Sequence, residues 1–160
     1  MQTLPMLKAG ELAPDFEMAD QNERAIRLSD YKGKKNVVLF FYPKDFSPVC
    51  TLEACCFRDQ YELFQSLDTE VIGVSADGVI SHAHFAAKYD LPFPLLSDEG
   101  DLRSLYSISK TLGFVHGRIT FVIDKKGVII EVIASVFDAT RHVEDALNRV
   151  RTEENQLRKD

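Results

Sequence analysis

Apolar residues fall into short continuous runs separated by longer amphipathic stretches, the pattern of buried strands alternating with surface helices. Asn36–Phe41 (NVVLFF) and residues 70–75 (EVIGVS) are rich in β-formers and lack polar alternation, which predicts strands buried on both faces. Residues 94–97 form a third, short strand bounded by prolines and Ser97-Asp98. Between these runs the spacing predicts a helix from Pro48 to about Leu67 and another over Val79–Tyr89, followed by a short one over 101–106. Residues 118–124 and 128–134 are β-rich runs joined by Lys125-Lys126-Gly127, a hairpin signal. A smaller hairpin is expected where residues 16–19 and 25–28 flank the polar turn Gln21-Asn22-Glu23-Arg24. A charged, periodic helix over about 140–157, fraying at its end, closes the pattern.

The order β-α-β-α-β, then a hairpin and a helix, implies an α/β domain with a mixed central sheet and helices on both faces, because crossovers make parallel strands and the hairpin an antiparallel edge. A thioredoxin-like fold fits this order, as one domain over residues 1–160 with no repeat or linker to divide it. Apolar residues make up 45% and charged residues 28% of the chain, which suits a packed core rather than disorder. The net charge of −6, without long single-sign runs, gives no electrostatic support for nucleic-acid binding. No apolar run reaches the ~20 residues that span a bilayer, and the opening MQTLPMLKAGELAPDF lacks the layout of a secretion signal, so no membrane and a cytoplasmic location are expected. The three cysteines all lie between Cys50 and Cys56, which points to reactive thiols or a metal rather than a disulfide framework.

Ser47-Pro48-Val49-Cys50 reads as a helix start, with Ser at the N-cap and Pro in the first helical position. Cys50 is then the third helical residue, among unpaired amides and at the positive end of the dipole, and both favour the thiolate. The thiolate is the reactive form, and a strand-loop-helix junction is a common place for such a nucleophile. Against this stands the commoner fate of a free cysteine, a small buried hydrophobe. Around a continuous helix, Leu52, Cys56, Leu63 and Leu67 share one stripe, while Arg58, Asp59, Glu62 and Ser66 share the opposite side with Cys55. Cys56 is therefore expected to pack among leucines and Cys55 to be the accessible partner thiol. In an intact helix Cα atoms five residues apart lie ~8 to 9 Å from each other, and six apart ~10 Å, beyond the roughly 7 Å a disulfide allows. Bonding Cys50 to Cys55 thus requires the first turns to unwind. A metal reading would combine the cysteines with His82, His84, His116 or His142, but Cys-x₄-Cys-Cys is not a usual zinc spacing and no metal or other cofactor is expected. His82 and His84 fall on different faces of their helix and are read as solvated side chains.

The segment FFYPKDFSPVCTLEACCFRDQYELF resembles the active-site stretch of peroxiredoxins, in particular the bacterioferritin-comigratory, or Q-type, subfamily. The family pattern of Pro, three residues, Thr or Ser, two residues and Cys is met by Pro43, Ser47 and Cys50, with Glu53 and a second cysteine at Cys55. RITFVID, beginning at Arg118, is similar to the strand carrying the family arginine, and the likeness runs from AGELAPDF at residues 9–16 to the final helix.

The resemblance implies a thiol peroxidase. Cys50 would be the peroxidatic cysteine and Cys55 the resolving one, with Arg118 holding the thiolate, Ser47 supplying a hydroxyl and Pro43 shielding the pocket from water. It further implies a hydroperoxide substrate, thioredoxin or a similar dithiol as reductant, and a monomer. Ser47 stands where Thr is usual, losing the methyl that restricts its rotamer, and Cys56 is an extra thiol that can compete with Cys55. A thioredoxin-type disulfide oxidoreductase would normally use Cys-x-x-Cys, which is missing, and a non-catalytic redox sensor would use the same unwinding helix without turnover.

Overall fold

The computed structural model describes residues 7–108, 110–111, 115–116, 118–135 and 138–159. Among them, the main sheet is built from β3 (Asn36–Phe41), β4 (Thr69–Ser75), β5 (Leu95–Ser97), β8 (Ile119–Ile123) and β9 (Ile129–Ala134), in the order β5-β4-β3-β8-β9. β3, β4 and β5 are parallel, whereas β8 is antiparallel to both β3 and β9. The helices are α1 (Pro48–Asp59), α2 (Tyr61–Ser66), α3 (Val79–Tyr89), α4 (Asp101–Leu105) and α5 (Ala139–Lys159). The expected small hairpin is present as β1 (Glu17–Ala19) paired with β2 (Ala25–Arg27). A two-residue pair that periodicity did not reveal, β6 (Lys110–Thr111) with β7 (Val115–His116), precedes β8. No helix of the described residues is long and apolar enough to cross a membrane.

β3 explains the two-sided core. All six of its residues are buried, so its sequence reads as a continuous apolar run. Val38, Phe40 and, just past the strand, Tyr42 enter one cluster with Phe57 of α1, Phe64 of α2, Phe85 of α3 and Val143, Ala146 and Val150 of α5. Val37, Leu39 and Phe41 enter the other, which is closed by Phe16, Leu28, Leu102 of α4 and Tyr106. Both faces are thus covered as expected, but unequally, with only short elements on the second. α5 runs two residues past the expected limit, to Lys159, because the stripe His142, Val143, Ala146, Leu147, Val150 and Glu154 keeps it against the sheet. The expected helix over 48–67 is instead two helices, interrupted at Gln60 (φ −102°, ψ 6°).

Gly73 of β4 sits where two large side chains meet: a Cβ there would lie 2.8 Å from Phe40 Cζ and 2.9 Å from Leu95 Cδ2. Gly73→Ala is expected to destabilise the protein by about 1–3 kcal/mol through overpacking. A urea midpoint equal to that of the parent would show that the pocket relaxes freely.

Candidate active site

The chain leaves β3 at Phe41, turns through residues 42–47 and enters α1 at Pro48. The first helical hydrogen bond runs from Thr51 N–H to the Ser47 carbonyl at 2.8 Å, which leaves the amides of Val49 and Cys50 without an acceptor inside the helix. Ser47 has the extended backbone of an N-cap, yet its hydroxyl does not cap: it donates to the Lys44 carbonyl at 3.0 Å and braces the loop. Phe46, immediately before it, takes a left-handed backbone (φ 66°), a conformation costing roughly 1–2 kcal/mol for a residue with a side chain. Cys50 is 1% exposed.

Strand register delivers the cation. Because Phe41 pairs with Ile119, the residue before β8, Arg118, lies at the end of the sheet where α1 begins. Its Nη2 donates to Cys50 Sγ at 3.2 Å and its Nη1 to Glu53 Oε1 at 2.7 Å. Cys50 and Glu53 are three residues apart and therefore share one face of α1, so one planar guanidinium spans both. Arg118 and Glu53 are both buried. Behind it, Glu53 Oε2 accepts no hydrogen bond among the described residues and lies 3.7 Å from His142 Nδ1 in the first turns of α5. His142 Nε2 donates to the Ser135 carbonyl at 2.7 Å, and Nδ1 is 2.7 Å from the Thr120 hydroxyl.

These groups share too little water to ionise independently. Burial pushes the Glu53 carboxyl up to about 7, against the opposing pull of Arg118. Burial also draws Arg118 down, but the charges of Glu53 and Cys50 and their hydrogen bonds more than compensate, and its net shift is upward. His142 is lowered by burial and by Arg118, although the Ser135 carbonyl opposes this. The neutral ring, with its proton on Nε2, accepts from Thr120 at Nδ1.

The remaining expected site residues are placed less closely. Pro43 is half-buried in the loop. All three cysteines are free, and Cys50 and Cys55 both lie within the intact α1. The expected stripes on this helix need correction: its buried residues are Cys50, Glu53, Ala54 and Phe57, while Leu52 is exposed. Cys56, Leu63 and Leu67 nevertheless pack against one core cluster across the interruption at Gln60, so Leu52 is the member of the expected stripe that departs. Cys55 and Cys56 are both half-buried, so burial does not separate them. Cys56 does pack against the larger core cluster, lining a crevice of about 180 Å³ with Val143 and Leu147 of α5. Burial, then the Asp59 carboxylate, push its thiol up, away from the reactive form. His82, expected to be solvated, is fully buried. The side chain of His116 lies outside the described residues. Sequence reasoning placed Glu53 only in a pattern and gave His142 no role; a histidine on the apolar stripe of α5 was the available signal.

Residues 9–132 match the model of the AhpC/TSA family. The chain belongs to that family. It is 45% identical over 140 residues to the chloroplastic peroxiredoxin Q of Triticum aestivum, covering 86% of this chain but only 64% of the relative's length. The crystal structure of peroxidoxin BcpB from Mycobacterium tuberculosis superposes with a TM-score of 0.85 at 37% identity, covering 91% of this chain and 97% of that one. The bacterioferritin comigratory protein of Xanthomonas campestris, described for its alkyl peroxide reduction activity, gives 0.83 at 26% identity, covering 92% and 99%. Membership among the Q-type peroxiredoxins and the thioredoxin-like fold are thereby borne out.

Glu53 also makes stability depend on pH. Its folded value lies above its ordinary 4.5, so the stability it lends is complete below 4.5 and is lost as pH rises through about 7. Between pH 5 and 8 the parent is expected to lose on the order of 2 kcal/mol relative to Glu53→Gln, read from denaturant unfolding at each pH. Parallel profiles for the two proteins would show that Glu53 is ionised throughout.

Proposed function

We propose that the chain is a thiol-dependent peroxidase that reduces hydrogen peroxide and organic hydroperoxides through Cys50. The observation that carries this reading is the contact of Arg118 Nη2 with Cys50 Sγ at 3.2 Å, in a buried site at a helix N-terminus. The Cys50 thiolate attacks one peroxide oxygen; the S–O bond forms as the O–O bond breaks, and the other oxygen leaves as hydroxide or alkoxide and takes up a proton. Arg118, fixed by Glu53, donates to the charge as it passes from sulfur to the leaving oxygen. Pro43 and Ser47, in the loop before the helix, wall the pocket and supply a hydroxyl.

Cys55 then attacks the sulfenic acid sulfur, expelling water and forming an intramolecular disulfide. Cys55 is favoured over Cys56 because it is one residue nearer and because the Cys56 thiol is held up by burial and Asp59. The intact α1 keeps both candidates beyond bonding distance, so its first turns unwind in this step. Thioredoxin or a similar dithiol returns the disulfide to thiols. The likeness to the Xanthomonas campestris protein supports alkyl peroxides as substrates.

The test is free-thiol loss on adding one equivalent of hydrogen peroxide to the reduced protein, on a stopped-flow timescale. The parent is expected to lose two thiols rapidly, Cys50→Ser to be inert, and Cys55→Ser to stop at the sulfenic acid. A Cys50→Ser variant as fast as the parent would sink the reading. Disulfide formation in Cys55→Ser would move the resolving role to Cys56, and oxidation without dithiol-driven turnover would favour a redox sensor.

A further inference from the structure

The loop carrying Pro43 and Ser47 is held by a buried polar cluster with no part in the chemistry above. The Asp45 side chain is fully buried and accepts from the Tyr42 hydroxyl at 2.6 Å and the Ser81 hydroxyl at 2.9 Å. Its Oδ2 lies 2.8 Å from Nδ1 of His82, a fully buried residue of α3. His82 Nε2 is 3.1 Å from the Leu96 carbonyl, which can only accept, so Nε2 carries a proton. The contact of Nδ1 with Oδ2 ties the ring to the Asp45 carboxyl group, and the Tyr42 hydroxyl lies 3.4 Å from the same nitrogen.

The loop backbone is tied as well. Asp45 N–H donates to Asp77 Oδ2 at 2.8 Å, which also accepts from Ser75, and Arg103 Nη2 donates to the Tyr42 carbonyl at 3.2 Å. Between these ties and α1 stands Phe46, in its left-handed conformation, with its ring 5.0 Å from that of Phe85. A strained residue of this kind persists only where its surroundings over-determine it. Asp45 is joined to α3 at two points, Ser81 and His82, and it sits two residues from both Pro43 and Ser47.

We propose that the Asp45–His82 pair is a positioning element of the peroxidase: it fixes the loop that sets Pro43 and Ser47 around the peroxide without touching the reacting atoms. The proposal rests on the reading of Cys50 as the peroxidatic thiol. It divides the work of the site. Arg118 and the start of α1 hold the thiolate, whereas the anchored loop orients the O–O bond, so disturbing the anchor should slow peroxide attack while leaving the thiolate's reactivity toward a probe that needs no such orientation.

Iodoacetamide is that probe. In the full-length chain carrying Cys55→Ser and Cys56→Ser, so that Cys50 alone reacts, second-order rates with hydrogen peroxide and with iodoacetamide would be compared before and after adding His82→Gln. The expected result is a peroxide rate lower by about ten- to a hundredfold, the scale of a misplacement near 1 Å, with alkylation changed less than about twofold. Unchanged peroxide reactivity, or a parallel fall in both rates, overturns the proposal. Should His82→Gln not fold, Ser81→Ala, which removes one donor to Asp45, is expected to lower the peroxide-to-alkylation rate ratio by about threefold, and an unchanged ratio again overturns it. A parent inert to peroxide would instead remove the peroxidatic reading, and this proposal with it.

Discussion

The guanidinium of Arg118, wedged beneath the first turn of α1, holds together the sheet, the helix and the chemistry. An ion pair in water contributes little, but this one is shut away from solvent, where each partner without the others would be an uncompensated buried charge. Nη1 of the guanidinium donates to Glu53 and Nη2 to Cys50, so one buried group ties the end of the sheet to two successive turns of α1. The arrangement tolerates little error in register. A slip of one residue between β3 and β8 would turn Arg118 to the other face of the sheet, away from α1.

The same enclosure governs where protons reside. Burial raises the Glu53 carboxyl to about 7 against the opposing charge and hydrogen bond of Arg118. His142 is poorly suited to supply a second positive charge, because burial and Arg118 both oppose its protonation and its ring nitrogens are occupied by Ser135 and Thr120. The Glu53 oxygen without a donor among the described residues is the visible sign of this competition. A buried group left partly unsatisfied is costly, and such groups gather where charge has to move.

Under the proposed peroxidase cycle, helix α1 serves two opposed requirements. Its intact N-terminus presents free amides and a positive dipole end to Cys50, but the same regular geometry keeps Cys55 out of reach. The segment that must give way is bounded on both sides: upstream by the Asp45 cluster, downstream by Phe57, whose ring stacks on Phe40 at 4.6 Å. Rearrangement would have to release Cys50, Glu53 and Ala54 from their buried positions, whereas Phe57, past the second thiol, can stay in the core.

Periodicity and punctuation determined much of this protein. NVVLFF, EVIGVS and the two β-rich runs around Lys125-Lys126-Gly127 located the sheet, and the Ser-Pro entry placed Cys50 in the first turn of its helix, because these signals depend on neighbours within a few residues. The Pro43, Ser47, Cys50 and Glu53 spacing, with RITFVID, made the family legible. Leu52 was misjudged because α1 docks on the side of Cys50, Glu53, Ala54 and Phe57, a choice made by the sheet beneath it, and the break at Gln60 is announced by no Gly or Pro. His82 was misjudged because its burial depends on an aspartate 37 residues earlier and a carbonyl 14 residues later. Only the tertiary structure could set Glu53 against His142 or bring Arg118 to Cys50, since those contacts span 89 and 68 positions and arise from strand register and helix docking, which local sequence does not encode.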